Sequence, residues 1–184
     1  ADGRIAMDLP TSSGERDASQ MRRWIFNMNS KKDQFDEELL STANGVLARM
    51  DDRYLSLPYQ YCYVGNRDPS LPFDKARGGN MGGFVTNQYL RVDVNTKKTN
   101  AYFVGPVQSL QESCFVPRKG SKREGDGYLM GIASNYESMS SDLVIVDAER
   151  LEEGAVATVK LPFRLRSGTH TNWFGADELP PFRV

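Results

Sequence analysis

The chain holds a single histidine, His170, within the stretch LRSGTHTNWF (165–174). An imidazole can act as a base, as the partner of a nucleophile, or as a metal ligand, and each role needs company. The company for nucleophilic or metalloprotease chemistry is missing: the sequence has no GxSxG elbow, no HExxH and no P-loop. A metal-bound imidazole wants its second nitrogen held by a carboxylate or carbonyl. Glu112 is the plausible partner. It lies in QESCFVPR (111–118), where alternation puts Glu112, Cys114 and Val116 on one strand face. A glutamate sharing a face with Cys and Val is oddly placed unless something pairs with it. Gly168 permits a sharp bend before the histidine, and Thr169, Thr171 and Asn172 make its surroundings polar. Without further context, a rim histidine with satisfied hydrogen bonds explains His170 as well. A surface glutamate near a strand start explains Glu112.

Other candidates carry less. GGNMGG (78–83) is glycine-rich but lacks the lysine and following helix that phosphate binding needs. The acidic runs FDEELL (35–40) and ERLEE (149–153) read as solvated faces, and KGSKREGDG (119–127) as a charged turn. Cys62 and Cys114 have no CxxC spacing and cannot complete a zinc site with one histidine. They read as buried free thiols in a reducing compartment, which places the protein in the cytoplasm.

The elements that must position these residues are strands. Short apolar–polar alternation bounded by Gly, Pro, Asn and Asp dominates the 184 residues. It predicts strands at 4–9, 21–28, 34–41, 58–64, 84–93, 100–104, 112–117, 127–134, 142–147, 155–161 and 169–174. Single helical turns are expected within 147–153 and 176–179. The Pro- and Gly-rich segment 65–83 reads as a long loop. With 23 basic and 24 acidic residues, the chain lacks the basic face of a nucleic-acid binder. No apolar stretch approaches the roughly 20 residues of a transmembrane helix, and the first ten residues lack a signal-peptide pattern.

Three segments share one plan: RRWIFNMNSKKDQFDEELL (22–40), QYLRVDVNTKKTNAYFVG (88–105) and SDLVIVDAERLEEGAVATVKL (141–161). Each is a strand, then Asn27, Asp93 or Asp147, a polar turn, and a second strand. Hairpin turns follow at 28–33, 94–99 and 147–154. The spacing, somewhat more than 50 residues, suits one four-stranded blade of a β-propeller. About three blades fit in the chain, while propellers close with roughly four to eight. The fold is therefore either a sandwich or, as we prefer, part of a larger ring.

At this point the sequence resembles a known family. Phe115-Val116-Pro117-Arg118, Gly125-Asp126-Gly127-Tyr128-Leu129, Ser141-Asp142-Leu143, Val159-Lys160-Leu161-Pro162 with Arg164, and His170 with Asn172-Trp173 are similar to the C-terminal end of carotenoid cleavage oxygenases. The nearest subgroup comprises lignostilbene and resveratrol dioxygenases and isoeugenol monooxygenase. RRWIFNM (22–28) and YCYVG (61–65) fit more weakly. The resemblance implies an all-β, seven-bladed propeller, with residues 1–184 the C-terminal part of a single catalytic domain. It implies Fe(2+) on the axis held by four histidines from different blades, three of them upstream of this chain. His170 matches the last ligand, and Glu112 a glutamate that orients one of the histidines. The implied reaction splits the C=C bond of a stilbene or phenylpropene, an alkene conjugated to a 4-hydroxyphenyl ring, with dioxygen to give aldehydes. An apocarotenoid substrate, or a non-catalytic propeller scaffold, are the alternatives. The chain departs from the family at VLARMDDR (46–53), where Val46 stands in place of a second orienting glutamate.

Overall fold

The computed structural model describes residues 3–12, 19–79, 86–168 and 170–181. Residues 80–83 of the glycine-rich run, the first two residues of the strand expected at 84–93, and Thr169 lie outside them.

The described residues form three antiparallel sheets, each a meander in chain order. The first contains β1 (Arg4–Thr11), β2 (Gln20–Asn27) and β3 (Phe35–Ser41). The second contains β4 (Gly45–Met50), β5 (Tyr61–Asn66), β6 (Gln88–Asp93) and β7 (Thr99–Phe103). The third contains β8 (Gln108–Pro117), β9 (Gly127–Asn135), β10 (Ser140–Asp147) and β11 (Ala155–Lys160). A one-turn helix α1 (Lys75–Gly78), capped by the Asp74 side chain, interrupts the long β5–β6 connection. The turn expected within 147–153 is a 3-10 turn at Leu151–Glu153. Residues 176–179 form a non-helical turn.

The repeat seen in the sequence is the last hairpin of each sheet. Asn27, Asp93 and Asp147 end β2, β6 and β10, and each turns its side-chain oxygen onto the backbone two residues ahead. Asn29 N–H donates to Asn27 Oδ1 at 3.0 Å, Asn95 N–H to Asp93 Oδ1 at 2.9 Å, and Glu149 N–H to Asp147 Oδ1 at 3.0 Å. These short polar side chains stop the ladder and start the turn.

The middle sheet is buried on both faces, and the period of two divides its side chains between them. Tyr63 and Tyr89 join Leu110, Phe115, Leu129, Val144 and Val146 in a core shared with the third sheet. Cys62, Val64, Leu90 and Val92 join Met21 and Leu40 in a core shared with the first. The charged turn 119–127 stitches the third sheet to the middle one. Arg53 donates to the Arg123 carbonyl at 3.2 Å, and Glu124 accepts the Gln60 and Tyr61 amides, each at 2.8 Å. The outer sheets keep bare faces: Ile5, Met7 and Phe35 on the first, and Val156 and Val159 on the last strand, are exposed. Consecutive meander sheets packed this way, and not closed on one another, are blades of an open part of a propeller.

Three expectations are corrected. The first sheet shows three strands among the described residues, not four. β4 was not predicted, because a bulge between Val46 and Arg49, with Leu47 at φ 54°, breaks its alternation. Residues 170–174, read as a strand, form no ladder: at Thr171 the main chain is held by side chains instead.

Candidate metal-ligand site

Glu112 sits in the middle of β8, at a bulge between Leu110 and Ser113. The bulge is held from beneath. The buried Tyr89 hydroxyl donates to the Gln111 carbonyl at 2.9 Å, reaching it across Gly131. A Cβ at position 131 would lie 2.1 Å from that hydroxyl and 3.0 Å from the Glu112 carbonyl. Glycine is needed there for the close approach, and the bulge in turn aims the Glu112 carboxylate.

That carboxylate is only 4 % exposed, yet ionic partners surround it. Arg49 Nε donates to Oε1 at 2.9 Å, and the Thr171 amide donates to Oε2 at 2.6 Å. His170 Nδ1 lies 3.4 Å from the same Oε2. This is ion-pair reach, longer than a formed hydrogen bond. The imidazole is 72 % exposed, so its second nitrogen is open to a ligand. The two residues singled out in the sequence are thus brought together. Glu112 faces Nδ1, which leaves Nε2 as the open ring nitrogen.

Neighbouring expectations fare differently. Gly168 does not adopt the left-handed backbone of a sharp bend. Its amide donates to Gln111 Oε1 at 2.9 Å, and a Cβ there would come within 3.2 Å of the same oxygen. Trp173, part of the motif shared with the family, is 45 % exposed. Val46 lies opposite Gly65 in the β4–β5 ladder, and the side chain that β4 sends to Glu112 is Arg49. Sequence reasoning missed Arg49, Tyr89 and Gln111. Bulges aim two of their three contacts, and a bulge leaves no periodic signal.

A single imidazole holds no metal alone, and no three His, Cys, Asp or Glu side chains converge among the described residues. What the chain offers is one group suited to that chemistry: an exposed imidazole with a buried carboxylate near its other nitrogen, as in metal-ligating histidines. The cysteines do not contribute. Both are free, and burial pushes the Cys62 thiol up to about 12 and raises Cys114 against the pull of Arg49. A neutral buried thiol is neither nucleophile nor ligand. No helix among the described residues is long and apolar enough to cross a membrane.

The family model described as "RPE65: Retinal pigment epithelial membrane protein" matches residues 3–175. Lignostilbene-alpha,beta-dioxygenase isozyme III of Sphingomonas paucimobilis is 37 % identical over 161 residues, covering 87 % of this chain and 33 % of that protein. Isoeugenol monooxygenase of Pseudomonas putida is 35 % identical over 154 residues, covering 84 % and 32 %. The crystal structure of Pseudomonas brassicacearum lignostilbene dioxygenase superimposes with a TM-score of 0.86 at 27 % identity, over 95 % of this chain and 39 % of that one. The chain spans about a third of the length of the curated relatives it matches. With a family match over nearly its whole length, and propeller blades that superimpose on those of a lignostilbene dioxygenase, the chain belongs to the RPE65, or carotenoid cleavage oxygenase, family.

Proposed function

We propose that residues 1–184 are the C-terminal part of a single β-propeller catalytic domain that uses Fe(2+) and dioxygen to cleave the C=C bond of a stilbene or phenylpropene. The observation that carries this reading is the exposed His170 imidazole with buried Glu112 at its Nδ1. His170 would be one of several histidine ligands, the others supplied by the rest of the propeller. When bound, the iron supplies the means of engaging dioxygen with an electron-rich alkene. The residues of this chain do the holding. Glu112, facing Nδ1, would hold the ring tautomer once the imidazole is seated on a metal, and Thr171, bonded to Glu112 through both its amide and its hydroxyl, fixes the main chain beside His170. The choice of a 4-hydroxyphenyl alkene over an apocarotenoid rests on the lignostilbene and isoeugenol enzymes among the relatives. The free, buried thiols support a reducing compartment, the cytoplasm.

The test uses the complete protein. His170→Ala should leave a folded propeller with little iron and no cleavage of isoeugenol, resveratrol or a lignostilbene. Glu112→Gln should weaken metal affinity or activity by about 10–100-fold. A His170→Ala protein with full iron content and activity would make His170 a rim residue. A wild-type protein that takes up no iron would favour the non-catalytic scaffold. Preferential cleavage of a polyene would shift the substrate to the apocarotenoids.

A further inference from the structure

We infer that Arg49 is a positioning residue for the metal ligand: with Glu112 it forms a two-residue clamp on the main chain at Thr171, and this clamp sets the imidazole of His170. The inference rests on the reading of His170 as a ligand, but its geometry stands apart from any metal. Among the described residues after β11 no strand ladder holds the chain. At Thr171 two side chains do what a neighbouring strand would do. Glu112 Oε2 takes the amide at 2.6 Å, and Arg49 Nη2 donates to the carbonyl. Arg49 Nε closes the circuit on Glu112 Oε1 at 2.9 Å, and Thr171 Oγ1 donates to the Glu112 carbonyl at 3.2 Å.

The three parts come from three places: β4 of the middle sheet, β8 of the third, and the segment beyond β11. Both strands are bulged where they contribute, between Val46 and Arg49 and between Leu110 and Ser113. Leu47 holds a left-handed φ of 54° without being glycine, a conformation that the surrounding structure must enforce. Such bulges re-aim side chains. The guanidinium suits the task because its planar fork reaches a carboxylate and a carbonyl at once. A lysine ammonium carries the charge without that fixed spread. Arg49 also places a positive charge beside the buried Glu112 carboxylate, which would otherwise lack an ionic partner from a strand.

The experiment compares amide hydrogen exchange in the metal-free complete protein, wild type against Arg49→Met and Arg49→Lys, at peptides covering 165–175 and, as control, β9–β10. Both variants should raise exchange around 170–172 roughly tenfold or more, the loss expected when a charged hydrogen bond to a backbone group goes, with the control peptides unchanged. Iron release to a chelator should quicken by about 10–100-fold, and kcat should fall with KM little altered. Combining Arg49→Lys with Glu112→Gln should cost no more than the worse single change, since one circuit is broken twice. Wild-type exchange around 170–172 in Arg49→Lys overturns the clamp. If Arg49→Met fails to fold, Arg49→Lys alone decides, by the same two outcomes. Loosened exchange in the Arg49 variants, together with full iron in His170→Ala, would leave the clamp standing and remove the ligand reading instead.

Discussion

At the residue scale, the site depends on one pair of groups that cannot both be larger. The Tyr89 hydroxyl reaches the Gln111 carbonyl only because position 131 has no side chain. Gly131→Ala should force these groups apart and destabilise the complete protein by about 1–3 kcal/mol, the usual cost of overpacking. Tyr89→Phe removes the obstructing oxygen, so the double variant should be less destabilised than the sum of the two singles. Chemical denaturation of the four proteins checks this, and strict additivity would show that the contact is not the cause. His170 and Glu112 were legible in the sequence because each was conspicuous: one was the only histidine, the other a carboxylate on a strand face with Cys and Val. Arg49 was not. Its partner lies 63 residues away, and a backbone irregularity, which residue types do not encode, turns it there.

Among elements, the hairpins were the most readable. Asn27, Asp93 and Asp147 state in one residue where a strand must stop. They are not equal in weight. Asn27 serves one exposed amide, whereas Asp93 Oδ1 accepts the Asn95 and Thr96 amides, each at 2.9 Å, and Oδ2 accepts Gln60 Nε2 at 2.9 Å. Asp93→Ala should therefore lower the stability of the complete protein by about 1–2 kcal/mol, and Asn27→Ala by about 0.5 kcal/mol or less. Equal shifts in thermal midpoint would refute that ranking. β4 escaped the sequence because period two fails across Leu47. The described part of the last predicted strand, 170–174, was misread for the opposite reason: its alternation is real, but Glu112 and Arg49 take the place of a partner strand at Thr171. Apolar–polar alternation and sheet membership are separate properties, and only the first is written in the sequence.

For the whole molecule, the incomplete ring was readable from the repeat, because three blades of this spacing cannot close. The outer faces agree, with Ile5, Met7 and Phe35 at one end and Val156 and Val159 at the other left bare. Expressed alone, the 184-residue chain should bind hydrophobic dyes and sediment as aggregates. A monodisperse chain with a sharp thermal transition would contradict this. The clamp carries a consequence for the order of assembly. Every strand ladder in the three sheets joins neighbours in sequence, so each blade can close early, at small entropic cost. The Arg49–Glu112–Thr171 circuit spans 59 to 122 residues and draws on two finished blades. It can close only after they have docked. The cradle for His170 is then a late product of folding, not its seed. Unlike a zinc finger, which the ion itself draws into shape, a metal held by His170 as proposed would meet an imidazole already placed by the surrounding architecture. Losing the ion should empty the cradle without dismantling it.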